Sequence, residues 1–235
     1  MSQAVMMYHK VGAPDMDRFL NISTQSFARQ MRTLKRLGYH AVTFADIAYA
    51  YHQHRSLPSK TFCITFDDGY ECVGEYAAPI LRELEWPATV FVPTQWAGKD
   101  NGWDEANKKR VLPLMGWDRL RELRAEGWEI AGHTRTHPRL AELPDDIALA
   151  EILQGKQAIQ DQLGAPITTF CYPYGSLNAR TPDLVKQAGY IAACTTSSGL
   201  ASPTRNPYLL PRVKIAYRDG VAGMLYRMWI RPLMK

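Results

Sequence analysis

The sequence predicts an α/β fold, specifically a distorted, incomplete (β/α) barrel of about seven units. Short apolar runs alternate with amphipathic stretches, the chain has 235 residues, and no repeat, linker or low-complexity tract divides it. Alternating strands and helices favour a parallel sheet, and this number of units favours a closed or nearly closed barrel. A doubly wound open sheet is the alternative. We therefore expect one domain over residues 1–235.

Eight segments are predicted to be strands because they are short, apolar and rich in β-branched or aromatic residues. They are Ala4–Tyr8, Tyr39–Phe44, Thr61–Phe66, Ala88–Pro93, Trp128–Ala131, Thr168–Tyr172, Tyr190–Cys194 and Leu209–Ile215. Helices are predicted where apolar residues recur at three- and four-residue spacing. They are Ser26–Leu37, Ala45–His54, Val73–Leu84, Trp117–Ala125, Pro144–Leu163, Thr181–Ala188 and Asp219–Ile230.

The composition is typical of a soluble globular protein, with 46% hydrophobic and 22% charged residues. The net charge of +5 is concentrated at the end of the chain, where residues 205–235 contain seven basic residues and one acid. Such a segment suggests an anionic partner, although a solvated basic face explains it as well. No recognition motif accompanies it, so nucleic acid is not expected as a partner. Without a leader-like segment or a run of 18 apolar residues, we expect a cytoplasmic protein.

Four cysteines are present, and no two of them form a CxxC pair. A structural zinc site or a redox motif built on cysteine is therefore not expected. Most of them lie in apolar runs, which predicts buried free thiols. They are Cys63, Cys72, Cys171 and Cys194.

The adjacent carboxylates Asp67 and Asp68 follow the predicted strand Thr61–Phe66. Active sites of parallel β/α folds lie at the carboxyl ends of strands. Two neighbouring carboxylates repel each other, and a cation relieves that repulsion. One aspartate can then bind a metal while the other transfers protons. A turn rich in Asp and Gly would explain the same residues.

Two histidines, His133 and His137, follow the predicted strand Trp128–Ala131. Their i and i+4 spacing places both on one face of a helical turn, a common spacing of metal ligands. Two imidazoles and one carboxylate leave a coordination position open for water, as catalytic zinc sites require. This combination indicates hydrolysis.

A third cluster, residues 170–175, also follows a predicted strand and contains Pro173 and Gly175. A tight turn there can direct backbone N–H groups into the site, where they can hold an oxyanion. An ordinary strand-to-helix turn is the alternative interpretation. The long loop Thr94–Gly116 contains Trp96 and Trp103, which either stack on a sugar or belong to the core.

Three sequence motifs together resemble the polysaccharide deacetylase family, the NodB-homology domain of carbohydrate esterase family 4, in its short bacterial members. They are Thr65-Phe66-Asp67-Asp68-Gly69, His133-Thr134-x-x-His137 and Tyr172-Pro173-Tyr174-Gly175. The resemblance covers roughly residues 5–215. It implies a distorted β/α barrel that removes acetyl groups from an N-acetylated saccharide, with one divalent metal, usually Zn²⁺. It further implies that Asp67 is the catalytic base, that the Tyr174 N–H holds the oxyanion, and that three residues bind the metal: Asp68, His133 and His137.

The chain departs from the family pattern at two positions. Many members have Arg where this chain has Cys171, and that Arg orients the base. The late Leu-x-His motif, which supplies a general acid, is absent, and His137 is the last histidine. We therefore hypothesise that His9, after the first strand, acts as the acid. A buried structural role for His9 is an equal alternative, and Arg212 is another possible site residue.

Several alternative functions fit parts of the pattern. The same scaffold can hydrolyse another amide, such as a cyclic imide or ureide, or act as a noncatalytic glycan-binding member. A non-heme iron oxygenase also uses two His and one carboxylate, but its usual scaffold is all-β. In a cytoplasmic protein, a lipid-linked saccharide precursor fits best as substrate. The predicted last helix has an apolar stripe near arginines, which either docks on anionic lipid or packs on the barrel. The stripe consists of Val221, Met224, Leu225, Met228 and Trp229.

Overall fold

The computed structural model describes residues 2–14, 20–103, 111–215 and 219–230. Its strands are β1 (Ala4–Tyr8), β2 (Lys10–Val11), β3 (Asn21–Ile22), β4 (His40–Val42), β5 (Thr61–Phe66), β6 (Thr89–Val92), β7 (Glu129–Gly132), β8 (Thr169–Cys171), β9 (Ala192–Ser198) and β10 (Leu210–Lys214). Its α-helices are α1 (Thr24–Arg36), α2 (Phe44–His52), α3 (Ala78–Glu83), α4 (Trp117–Ala125), α5 (Asp145–Leu163), α6 (Thr181–Gln187) and α7 (Val221–Leu225). Single π-helical segments precede α3 (Val73–Ala77) and follow α7 (Tyr226–Ile230).

Seven of the described strands form a closed ring, in the order β1-β10-β9-β8-β7-β6-β5. The ring closes because β5 pairs with the whole of β1, from Ala4 opposite Phe62 to Tyr8 opposite Phe66. All of these pairings are parallel, so the carboxyl ends of the strands meet at one end, which we call the top. The predicted α/β barrel is confirmed, with seven strands in place of the eight of a complete barrel.

The strand β4 lies outside this ring. It pairs with the lower half of β5, from Thr61 to Cys63, whereas β6 pairs with the upper half at Thr65 and Phe66. β4 is also shorter than predicted from the sequence, because Thr43 begins the next helix. The Thr43 hydroxyl accepts a hydrogen bond from the Asp46 N–H and the Asp46 carboxylate accepts one from the Thr43 N–H, a capping box that ends the strand early.

The interior of the barrel is a cluster separate from the core under the outer helices. Each ring strand contributes to it at least one buried side chain, with α2 closing the lower end. The helix contacts β5 and β8, which lie on opposite sides of the ring, and it inserts Phe44, Ile47 and Ala48. Three of the four cysteines belong to this interior cluster, and all four are buried free thiols, as predicted. The strand residues of the cluster are Val5, Cys63, Phe91, Ala131, Cys171, Ala192, Cys194 and Leu210.

The C-terminal segment packs its apolar stripe against the barrel. Met224 and Met228 are buried, and Val221 and Leu225 pack on the same core. Trp229 is the exception: it is 42% exposed and stacks on Tyr39. Most of the apolar stripe that the sequence predicts for the last helix therefore packs on the barrel and is not free to dock on a membrane.

The segment also differs from the predicted helix over residues 219–230, because its α-helical part ends at Leu225 and a π-helical turn follows. Of the basic residues near the stripe, Arg218 and Arg231 lie outside the described residues, as does Lys235 at the end of the chain. None of the helices in the described ranges combines the length and the apolar character needed to cross a bilayer.

Candidate active site

The residues singled out in the sequence lie at the top of the barrel. Inward-facing side chains alternate along each strand, and this alternation continues past the strand ends, from Cys63 through Thr65 to Asp67 and from Val5 through Met7 to His9. The structure brings six predicted site residues into the wall of one cavity of about 430 Å³. They are His9, Asp67, Asp68, His133, His137 and Tyr174.

Three side chains converge as a candidate metal centre. The Nε2 atoms of His133 and His137 lie 3.3 and 3.2 Å from the same carboxylate oxygen, Oδ1 of Asp68. One potential ligand atom from each residue lies within 4.8 Å of the other two, and all three residues are buried. Two imidazole nitrogens and a carboxylate oxygen form a donor set that suits zinc and leave room for further ligands.

The orientation of His133 fits such a centre. Its Nδ1 lies 2.7 Å from the backbone carbonyl of Cys171, which can only accept a hydrogen bond. Nδ1 therefore carries the proton in the neutral ring, and the lone pair of Nε2 points towards Asp68. A backbone carbonyl behind a ligating histidine is a common way of fixing its tautomer and orientation.

The aspartate and the histidines of this cluster shift one another's pKa. Burial raises the pKa of Asp68, but His133 and His137 outweigh this effect and hold it well below the ordinary value. Burial lowers the pKa of His133, but Cys171 and Asp68 outweigh that effect and raise it well above the ordinary value. A metal ion at this position would compete with a proton for the imidazole nitrogens.

The segment between the histidines is not the helical turn that their spacing predicts. Residues 133–138 contain no helix, and Thr134 and His137 have left-handed backbones with φ of 66° and 67°. Seven non-glycine residues of the described chain have positive φ, and Asp68 and Tyr174 are two more of them, so four of the seven lie at this site. Backbone strain of this kind persists where the surroundings fix it, commonly at functional sites.

Asp67 is held by an arginine from the far end of the chain. Arg212, on β10, donates from Nη1 to Oδ1 at 2.6 Å and from Nη2 to Oδ2 at 2.7 Å. This bidentate pair is buried, with the Arg212 side chain fully inaccessible. Burial raises the pKa of Asp67, but the guanidinium outweighs it and lowers the pKa, so the carboxylate stays ionised.

Further contacts fix the guanidinium itself. It donates to the Thr195 carbonyl and to the Thr65 hydroxyl, both at 3.0 Å. Its Nη2 also lies 3.2 Å from Sγ of Cys171, the position at which many family members carry arginine. The arginine that orients Asp67 is therefore Arg212, named in the sequence only as a possible site residue, and not a residue at position 171. The arginine comes from β10 instead of β8, and its head group lies against the small side chain that replaces the usual one.

His9 lies beside the same carboxylate. Its Nε2 is 3.7 Å from Oδ2 of Asp67, and its side chain is 14% exposed to the cavity. The distance exceeds that of a direct hydrogen bond but allows a substrate atom to lie close to both groups. The structure thus places His9 in the site and not in the apolar core.

Aromatic rings surround His137. Trp103 stacks on its imidazole with 4.4 Å between centroids, and the ring of Tyr174 meets it edge-on at 4.5 Å. Both aromatic residues line the cavity. Both loop tryptophans pack on the core, but Trp96 is not among the described residues that line the cavity, and it donates its indole N–H to the Thr136 carbonyl. Of the two loop tryptophans, Trp103 therefore faces the cavity and Trp96 supports the structure.

Comparison with known proteins gives a consistent picture. The family model for polysaccharide deacetylases matches residues 54–193, more than half of the chain. A poly-β-1,6-N-acetyl-D-glucosamine N-deacetylase of Staphylococcus aureus (strain MSSA476) is 24% identical over 218 residues, which cover 89% of this chain and 72% of that protein.

Solved structures share the architecture. The Streptococcus pyogenes deacetylase PplD, in complex with acetate, superposes with a TM-score of 0.86 at 22% identity, covering 97% of this chain and 98% of that one. IcaB from Ammonifex degensii superposes with a TM-score of 0.82 at 23% identity, covering 97% of both chains. Likenesses at this level of identity establish the fold.

Proposed function

The chain belongs to the polysaccharide deacetylase family, and from this premise we propose that it is a metal-dependent hydrolase that removes N-acetyl groups from a saccharide. One observation carries the proposal. A cluster able to hold a metal, formed by Asp68, His133 and His137, lies in the same cavity as Asp67, a carboxylate that Arg212 keeps ionised. Metal-assisted hydrolysis of an unactivated amide uses both features: an ion that activates water and polarises the carbonyl, and a base that takes the proton of the water.

Asp68, His133 and His137 would hold one divalent ion, which we propose is Zn²⁺. When bound, such an ion lowers the pKa of water to about 7 and polarises a carbonyl oxygen. The hydrogen bond from His133 to the Cys171 carbonyl supports this assignment, because it leaves Nε2 free to act as a donor atom to the ion.

The remaining residues move protons and hold charge. Asp67 accepts a proton from the water that attacks the acetamido carbon, and Arg212 keeps its carboxylate in position. The backbone N–H of Tyr174 donates to the oxygen that becomes negative. His9, beside Asp67, gives a proton to the departing amine, which leaves as the free amino sugar while acetate is released.

An N-acetylglucosamine polymer is the substrate class that we propose. The Staphylococcus aureus relative is named for the poly-β-1,6-linked form of this sugar. Trp103 and Tyr174 support the proposal, because aromatic rings in the cavity wall present flat apolar faces of the kind that sugar rings contact.

A panel of N-acetylglucosamine oligosaccharides that differ in linkage and length tests this function. Each is incubated with the protein, and the new primary amine and the released acetate are measured, which deacetylation produces in equal amounts. We expect at least one member to be deacetylated by the wild-type protein and none by Asp67→Asn. A cyclic imide and a ureide in the same panel test the alternative that the scaffold hydrolyses another amide. Binding of oligosaccharides without release of acetate would instead indicate a noncatalytic glycan-binding member.

The location of the substrate stays a prediction. The cytoplasmic location and the lipid-linked precursor are expectations from the sequence alone. Contact with an anionic membrane would use the basic C-terminal segment, in whose described part Trp229 and Ile230 are 42% and 50% exposed. Co-sedimentation with anionic vesicles tests it, and absence of binding would contradict it.

A further inference from the structure

The backbone that joins the two histidines of the candidate metal centre is fixed by neighbours that never touch the cavity. Residues 134–136, here called the histidine loop, connect His133 to His137. The loop has no helical or sheet hydrogen bonds of its own, and Thr134 and His137 adopt left-handed conformations that non-glycine residues rarely take without support. The positions of both imidazoles therefore depend on whatever holds this loop.

Glu151, on α5, holds one side of the histidine loop. Its Oε2 accepts hydrogen bonds from the backbone N–H groups of Arg135 and Thr136, at 3.1 and 2.8 Å. Its Oε1 accepts one from the Thr136 hydroxyl at 2.9 Å. The Arg135 N–H is shared with the Glu151 backbone carbonyl, also at 3.1 Å, whereas the two hydrogen bonds from Thr136 go to the carboxylate. Such charge-assisted hydrogen bonds are stronger than neutral ones.

The opposite side of the loop is held by the short 3₁₀ helix Thr94–Trp96, which follows β6. The backbone N–H groups of Thr94 and Gln95 and the indole N–H of Trp96 donate, in order, to the three carbonyls of the histidine loop, at 3.3, 2.9 and 3.1 Å. The loop is therefore clamped between α5 and this 3₁₀ helix.

Gly155, one helical turn after Glu151, sets how closely α5 approaches. A Cβ atom at this position would lie 2.6 Å from the carbonyl carbon of Thr134 and 2.7 Å from its oxygen. These atoms are backbone and cannot rotate away, so any larger side chain must push the helix and the loop apart. The contact needs the absence of a side chain and not unusual backbone freedom.

From these contacts we infer that Glu151 is a positioning residue for the metal ligands His133 and His137, acting through the histidine loop, with Gly155 fixing the separation of loop and helix. The inference rests on the metal site of the proposed function and extends it to α5. Glu151 does not line the cavity among the described residues, so its removal acts on metal affinity and leaves direct substrate contacts intact.

Zinc affinity of the full chain tests this inference. The dissociation constant for Zn²⁺ is measured by competition with a chromogenic chelator, and folding without metal is followed by thermal unfolding in EDTA. We expect Glu151→Ala to weaken Zn²⁺ binding by about 10- to 100-fold, the usual effect of losing a group that orients a ligand. Glu151→Gln should recover most of the affinity, because an amide oxygen can accept the two N–H bonds and the Thr136 hydroxyl can reverse its role.

A matched control is available on the same helix. Asp161 is an exposed carboxylate of α5 that, within the described residues, is hydrogen-bonded to Gln157 four residues earlier, so Asp161→Ala should bind Zn²⁺ like the wild type. Gly155→Ala adds a second, independent variant. Alanine is favoured over glycine within a helix, yet we expect weaker Zn²⁺ binding because the added methyl group displaces the loop.

The outcomes separate the two proposals. If the wild type binds Zn²⁺ and His133→Ala does not, while Gly155→Ala and Glu151→Ala bind it normally, the positioning role is wrong and the metal site stands. If the wild type binds no Zn²⁺, or His133→Ala binds it equally well, both the metal assignment and the positioning role fail. Should Glu151→Ala not fold, the result for Gly155→Ala decides.

Discussion

Arg212 and Asp67 lie 145 residues apart along the chain, yet they form two hydrogen bonds at the top of the barrel. The planar guanidinium matches both oxygens of the carboxylate and fixes its orientation, which would set the direction from which Asp67, as the proposed base, accepts a proton. Removing the partner of a buried charge costs about 3–5 kcal/mol, so Asp67 depends on this arginine for stability as well as for orientation.

Arg212→Lys separates charge from geometry. Lysine keeps the positive charge but cannot form the two parallel hydrogen bonds, so we expect kcat to fall by about 100-fold through misplacement of the base. Metal content should be unchanged, because Arg212 contacts none of the three candidate ligands. The exposed Arg180, paired with Asp145, provides the control Arg180→Lys. Wild-type kcat in Arg212→Lys would contradict the orienting role.

His9→Gln tests the general acid. Glutamine retains polarity and size but cannot deliver a proton, so we expect kcat to fall by about 10²- to 10⁴-fold while Zn²⁺ stays bound. Substrates with a better leaving group than an amino sugar should be affected less, because they need less protonation. Full kcat with bound metal would assign His9 a structural role.

The sequence predicts part of this chemistry and not the rest. Asp67, Asp68, His133 and His137 stand out because reactive side chains directly follow apolar strands. The sequence offers Arg212 only as a possible site residue, because no motif surrounds it and nothing local indicates that it pairs with Asp67. Its role depends on the ring closure that places β10 near β5.

At the level of elements, helix α2 closes the lower end of the barrel, and hydrogen bonds to its first turn hold it there. Three side chains accept hydrogen bonds from the backbone N–H groups of its first turn. The Thr43 hydroxyl accepts from the Asp46 N–H, the Thr89 hydroxyl from the Phe44 N–H, and the Glu129 carboxylate from the Ala45 N–H. These bonds tie the helix to β6 and β7, and α2 can then insert its apolar residues into the lower end of the barrel.

Glu129 should make stability depend on pH. Burial raises its pKa above the ordinary value, against hydrogen bonds from Thr169, Ala45 and Thr89 that lower it. The protonated carboxyl therefore contributes stability that is fully present below about pH 4 and is lost as pH rises through the raised pKa.

Glu129→Gln reproduces the neutral carboxyl at every pH. We expect the free energy of unfolding of this variant, relative to wild type, to increase from pH 4 to pH 8 in urea titrations. Glu83→Gln, at an exposed ion pair with Arg32, should show no such trend. A difference between Glu129→Gln and wild type that does not vary with pH would contradict the raised pKa.

The elements also show where sequence patterns fail. Apolar runs predict the ring strands and helices within a few residues. Burial on both faces makes the strands continuously apolar, and burial of one face gives each helix apolar residues at three- and four-residue spacing. The strand before α2 is too long in the prediction because its last residues cap the helix, and residues 133–138 leave the predicted turn because Glu151 and Trp96 hold them from outside. The first deviation arises from a local capping box between residues three apart, and the second from contacts between distant segments.

For the whole molecule, the barrel brings ligands from β5 and β7 together across the top of the ring. A metal at this position links two separated parts of the chain and binds the native state in preference to the unfolded one. At a free metal concentration 100 times its dissociation constant, the ion would stabilise the fold by about 2.7 kcal/mol.

Removal of metal should therefore lower the thermal midpoint of the wild type. We expect EDTA to lower Tm and added Zn²⁺ to restore it, with no response from His133→Ala under either condition. Asp67→Asn should respond like the wild type, because it retains all three candidate ligands. An equal response of His133→Ala would place the stabilising ion elsewhere.

The division of labour between Asp67 and the three metal ligands is tested most directly by measuring zinc content and acetate release on the same preparations of wild type, Asp67→Asn and His133→Ala. Asp67→Asn should keep its zinc and lose activity by at least about 100-fold, whereas His133→Ala should lose both. An active Asp67→Asn, or a His133→Ala protein that keeps its full zinc content, would contradict the account.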